Sequence, residues 1–156
     1  MTGGATFDTS GLYRYHLWRA WGRGERRVAF IMLNPSTADG QRDDPTVRRC
    51  LGFARAWGYD ALDVVNLFAY RTPRPADVRA ATDPVGPDND RFLLDVTARA
   101  GLVVAAWGNH GAWLGRTDAV RHLLADVPLH CLALTGQGQP RHPLYARATL
   151  HAIPYH

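Results

Sequence analysis

The sequence predicts a three-layer α/β/α sandwich, a single domain over residues 1–156 on a mainly parallel central sheet of about four strands. Three observations carry that reading. A short apolar run occurs four times, each followed by a polar or glycine-rich stretch and then by a helical pattern. The first run, Val28-Ala29-Phe30-Ile31-Met32-Leu33, is continuous rather than alternating, and a strand covered on both faces has no polar side to show. The stretches between runs are long enough for the crossovers that parallel strands need. The length of 156 residues fits one domain with a core of its own.

Taken in order, Tyr13-Arg14-Tyr15-His16-Leu17-Trp18 fits either an extra hairpin strand or a helix. The first buried run stops at Asn34-Pro35-Ser36. A helix follows with Asp44 as N-cap and Pro45 in its first turn. Val47, Leu51, Ala54 and Trp57 share one of its faces, and Gly58 is its stop. The second run, Leu62-Asp63-Val64-Val65, ends at Asn66-Leu67-Phe68. Arg71-Thr72-Pro73-Arg74-Pro75 is then an irregular loop. A second helix starts near Gly86-Pro87-Asp88, with Phe92, Leu93, Val96 and Ala100 as its stripe. The third run, Leu102 to Trp107, ends at Gly108-Asn109-His110-Gly111, and Trp113, Val120, Leu123 and Leu124 indicate a third helix. The fourth, Leu129 to Leu134, ends at Thr135-Gly136-Gln137-Gly138-Gln139-Pro140. Arg141 to Arg147 comes next, with a short terminal helix after it.

All 18 basic residues are Arg, and the acids are Asp apart from Glu25. The net charge of +4 favours an anionic partner, most simply nucleic acid or a nucleotide. Five Trp are core-compatible, although Trp18 and Trp21 among several arginines also suit a stacking surface for single strands. Cys50 and Cys131 lie in apolar runs and read as free thiols of a cytoplasmic protein. No apolar run approaches a membrane span, and no secretory signal is expected. Cysteine spacing excludes structural zinc and iron–sulfur clusters, so neither metal nor cofactor is expected. Asp39, Asp43 and Asp44 are the one acidic group that would suit Mg²⁺, although a cap and a turn explain Asp44 and Asp39.

Ligands of an open parallel sheet bind beyond the carboxyl ends of its strands. The four exits carry Asn34, Asn66, Asn109 with His110, and Thr135 through His142. They offer amides and imidazoles and no run of carboxylates. That set suits a neutral, flat, hydrogen-bonding ligand such as a nucleobase, since an amide presents one acceptor and two donors. Each Asn taken alone also suits a turn or a cap.

Two resemblances build on these residues. Phe30 through Asp39, Asp43 through Cys50, Asn66 through Arg71 and Asp83 through Asp90 resemble a bacterial and phage family known as a domain of unknown function, DUF sixteen-forty-three. The order of the exits is in turn similar to the uracil-DNA glycosylase superfamily. Leu33-Asn34-Pro35-Ser36 looks like its first motif, Asn66 with the basic proline-rich loop like its second, Gly108 to Ala112 like its third, and His142-Pro143-Leu144 with Arg147 like its last.

That second resemblance implies that Asn34 positions a water or the sugar and that Asn66 reads a flipped base. It implies that His142 donates to the base carbonyl, that Phe68 or Tyr70 stacks on the base and that Asn109 assists. Leu144 or Tyr145 would wedge into the stack, and Arg71, Arg74, Arg141 and Arg147 would hold phosphates. The expected activity is N-glycosidic hydrolysis of a modified or damaged base. The first motif lacks the superfamily's water-activating carboxylate, and Leu144 stands where a Ser is usual. A non-catalytic reader of the same base is therefore the alternative, and a metal-dependent phosphoesterase built on the three aspartates a further one.

Overall fold

The computed structural model describes residues 1–156 as a mixed α/β fold on one seven-stranded sheet. The strands are β1 (Thr2–Phe7), β2 (Arg14–Ala20), β3 (Arg27–Met32), β4 (Ala61–Asn66), β5 (Leu102–Ala105), β6 (Leu129–Cys131) and β7 (Ile153–Pro154). The helices are α1 (Pro45–Ala56), α2 (Pro75–Ala80), α3 (Asn89–Arg99) and α4 (Arg116–Leu123). Two 3₁₀ segments cover Asn109–Gly115 and Pro143–Tyr145.

The sheet order is β1-β2-β4-β3-β5-β6-β7. The four expected runs form its parallel centre, β4-β3-β5-β6. The expectation of about four mainly parallel strands is corrected at the edges, where β1–β2, β2–β4 and β6–β7 pair antiparallel. β1 is a glycine-bearing edge with half its residues exposed, and β7 has two residues. Neither leaves an apolar pattern to read. The open choice at residues 13–18 resolves as a hairpin strand.

Both faces of β3 are buried, as its continuous apolar run requires. Val28, Phe30 and Met32 pack with Val47, Cys50, Phe53 and Ala54 of α1. Ala29, Ile31 and Leu33 pack with Leu93 and Val96 of α3 and Val120 of α4. The Asp44 carboxylate accepts the Val47 N–H at 2.8 Å and so caps α1 as expected. Gly58 has φ +81°, a conformation a side chain would resist. Pro75, read as irregular loop, is the first residue of α2, a position where its missing N–H costs nothing. After Arg147 the chain forms β7 rather than a helix. Cys50 and Cys131 are free and buried. No helix is long and apolar enough to cross a membrane.

β3 leads through α1 to β4 on one side, whereas β5 leads through α4 to β6 on the other. The strand order therefore reverses between β3 and β5. A crevice at the carboxyl ends of such a pair is the expected ligand position of an open sheet.

Candidate functional site

A cleft of about 780 Å³ opens at that position. Asn34, Asn66, Asn109, Arg141, His142 and the pair Leu144 and Tyr145 all line it, so the structure brings the four strand exits to one place.

Asn66 ends β4 and is 1% exposed. Neither its Nδ2 nor its Oδ1 has a hydrogen-bond partner within the chain. Only its backbone is engaged, through the Asn89 Nδ2, which donates to the Asn66 carbonyl at 2.9 Å. A buried polar group left unpaired costs ~1–3 kcal/mol, so folding alone does not favour an amide at this position.

Asn34 is arranged differently. Its Nδ2 donates to the carbonyls of Pro35 and Thr72, each at 2.9 Å. These bonds tie the first exit to the second and leave Oδ1 as the acceptor on offer. Asn109 Oδ1 accepts from the Thr135 hydroxyl at 2.6 Å and links the third exit to the fourth. Between them Gly108 adopts φ +74° and ψ −171°, a conformation open to glycine almost alone.

His142 caps the Pro143–Tyr145 turn, its Nδ1 accepting the Leu144 N–H at 3.2 Å. An accepting Nδ1 carries no proton, so Nε2 is the N–H donor of the neutral ring. Burial pulls the ring's pKa down to about 4, against the opposing pull of the Asp44 charge. The imidazole is therefore neutral at physiological pH. The same turn holds Leu144, 40% exposed, and Tyr145, 77% exposed, on the rim.

The structure does not bring the remaining expected residues into the cleft. Phe68 is 0% exposed and belongs to the core under α3 and α4, because the second exit turns inward after Asn66. Tyr70 lies edge-on to Tyr13, with ring centres 6.3 Å apart. Arg71 donates to the Ser36 and Thr37 carbonyls at 3.0 and 3.1 Å and lies over the Phe7 ring. It braces the first exit. Arg74 is exposed and pairs with Asp77, and Arg147 is exposed outside the cleft lining.

The three aspartates have separate structural tasks. Asp39 Oδ1 accepts from the Gln41 and Arg42 N–H groups, Asp43 pairs with Arg19 at 2.9 Å, and Asp44 caps α1. No group of three or more His, Cys, Asp or Glu is placed to hold a metal ion.

Sequence reasoning missed Arg14. It is 2% exposed and lines the cleft, and its side chain makes one hydrogen bond, from Nη1 to the Ala38 carbonyl at 3.0 Å. Its Nε is buried without a partner. Nothing in the sequence separates it from the other arginines of the first 27 residues.

The family model described as Protein of unknown function (DUF1643) matches residues 14–144. The chain belongs to this family. The match begins at Arg14 and ends at Leu144, both of which line the cleft. No curated protein and no solved structure matches the chain.

Proposed function

We propose that the cleft recognises a nucleobase in nucleic acid or in a nucleotide, and that the protein is an N-glycosidic hydrolase of a modified or damaged base. The observation that carries this reading is the Asn66 amide, closed off from water in the wall of the cleft with a free acceptor and free donors. A base edge offers the complementary pair in one plane. The order of the exit motifs, similar to the uracil-DNA glycosylase superfamily, supports the same reading.

The chemistry asks little of a nucleophile. The C1′–N bond breaks with its electron pair going to the base. The His142 Nε2–H hydrogen-bonds the base carbonyl as negative charge develops there, and a donor held in place for that charge contributes about 10²–10³ in rate. Asn34 Oδ1 orients the water that adds to C1′. The water loses its proton to solvent, the departing base anion takes one up from solvent, and the products are the free base and an abasic sugar. Both oxygens of the one carboxylate in the cleft, Asp44, accept backbone N–H groups, from Val47 and Ala38. That observation favours the second reading, a reader that binds the base without cleaving it.

The test is incubation with single- and double-stranded oligonucleotides carrying uracil, hypoxanthine, xanthine or oxidised pyrimidines, followed by mass spectrometry. The expected result is release of one class of base, insensitive to EDTA, and reduced about 10²–10³-fold in His142→Ala. Saturable binding with every oligonucleotide intact selects the reader. Release that a chelator abolishes contradicts both.

A further inference from the structure

We propose that Arg14 reads the base itself, and that the cleft selects a 6-oxopurine through its adjacent O6 and N7 acceptors. The inference rests on the base-recognition reading above and names its substrate class.

Arg14 comes to face the cleft through an irregularity in the pairing of β2. Successive side chains of a strand alternate between faces, and Leu17 of β2 packs on the α1 side of the sheet. Arg14, three residues earlier, would by alternation face the other side. The pairing of β1 with β2 slips at this point: Thr6 opposes His16, and Phe7 opposes Arg14, which leaves Tyr15 as an extra residue. Tyr15 turns to the α3 side and stacks on Phe92 at 5.0 Å. Arg14 thereby recovers the α1 side, where Nη1 reaches the Ala38 carbonyl. A bulge that re-aims one side chain beside a cleft is a recurrent device of functional sites.

Burial pulls the Arg14 pKa down to about 10, Asp44 is the charged group that most opposes that pull, and no carboxylate stands within ion-pair distance of the guanidinium. Asp39 adds a second, weaker carboxylate, while Arg71 and Arg19 oppose them. Its hydrogen bonds are not matched. Nε is closed off without a partner, and Nη2 makes no bond. The missing complement is therefore a pair of acceptors facing Nε and Nη2. A phosphate would bring a second negative charge beside Asp44. A carbonyl next to a ring nitrogen brings two acceptors and no charge, and it suits the side-on fork of a guanidinium. Guanine and its deaminated relatives hypoxanthine and xanthine present that pair as O6 and N7. Adenine presents an amine in place of O6, and pyrimidines have no N7.

Arg14 N donates to the Ala69 carbonyl at 3.0 Å, so its backbone runs beside the stretch that follows Asn66. Two side chains, 2% and 1% exposed, thus line one cleft with unpartnered polar atoms from adjoining stretches of chain.

The test is calorimetric titration of the full chain with short single-stranded oligonucleotides on 2′-fluoro sugars, which resist glycosidic cleavage. The central base is hypoxanthine, 7-deazahypoxanthine, adenine or uracil, and inorganic phosphate serves as a competitor. The expected result is that hypoxanthine binds about ten- to a hundredfold more tightly than its 7-deaza analogue or adenine. That preference disappears in Arg14→Lys, which keeps the charge and loses the fork. The 7-deaza comparison needs no variant, so it stands even where Arg14→Lys fails to fold. Equal binding of all four bases, lost in Asn66→Ala, overturns the role of Arg14 and leaves base recognition intact. Phosphate competing for the hypoxanthine site overturns it in favour of an anion site. Absence of binding to any base overturns both.

Discussion

Asn66 is the residue at which stability and function separate. A buried amide with no partner is unfavourable for the fold, so removing it should help the fold and harm recognition. Asn66→Leu is expected to raise unfolding stability by ~1–3 kcal/mol, read by urea titration, while abolishing binding of base-bearing oligonucleotides. A loss of stability together with retained binding would show the amide to be structural. His142 gives a pH dependence at the same scale. Its pKa is about 4 in the fold against ~6.5 in the unfolded chain. Between those values the unfolded state binds more protons, so stability falls as pH drops from about 6.5 to 4, by at most ~3 kcal/mol. His142→Gln should flatten that part of the stability curve. Since the folded ring stays neutral, Nδ1 should keep accepting the Leu144 N–H, and so hold the turn, down to about pH 5. The Asn positions were legible in the sequence because each stands at or just after the end of an apolar run, and His142 because it closes the last exit. Arg14 was not, because its direction depends on a pairing slip between two strands, and no single-strand pattern records that.

At the scale of elements, the Pro143–Tyr145 turn is the part of the cleft built to reach outward. His142 fixes it from within, and Leu144 and Tyr145 stand exposed on it. Exposed side chains contribute little to folding, so Leu144→Ala with Tyr145→Ala should leave the melting temperature within a degree or two. A wedge matters only when a base must leave a stack. The double variant is therefore expected to weaken activity on double-stranded substrate about tenfold or more, with little change on single strands. Equal loss on both would make the turn a general contact. The helix α1 was legible to the residue at its start, because Asp44-Pro45 is both a cap and a first turn. The helix α2 was hidden by the same residue type: Pro75 opens it, and in the run Arg71-Thr72-Pro73-Arg74-Pro75 it reads as a loop.

At the scale of the molecule, the sheet acts as a frame that delivers four loops to one end. Its parallel centre was legible because strands buried on both faces leave continuous apolar runs. Its edges were not, because β1 is half exposed and β7 is too short to carry a period. The reversal of strand order between β3 and β5 places the cleft in which the Asn66 amide is proposed to meet a base. The most direct measurement is the side-chain amide resonance of Asn66 in a ¹⁵N–¹H spectrum, assigned by its disappearance in Asn66→Leu. On titration with a hypoxanthine-bearing 2′-fluoro oligonucleotide, that resonance is predicted to move downfield and saturate with the binding isotherm. A resonance that stays in place while the oligonucleotide binds elsewhere would contradict the account.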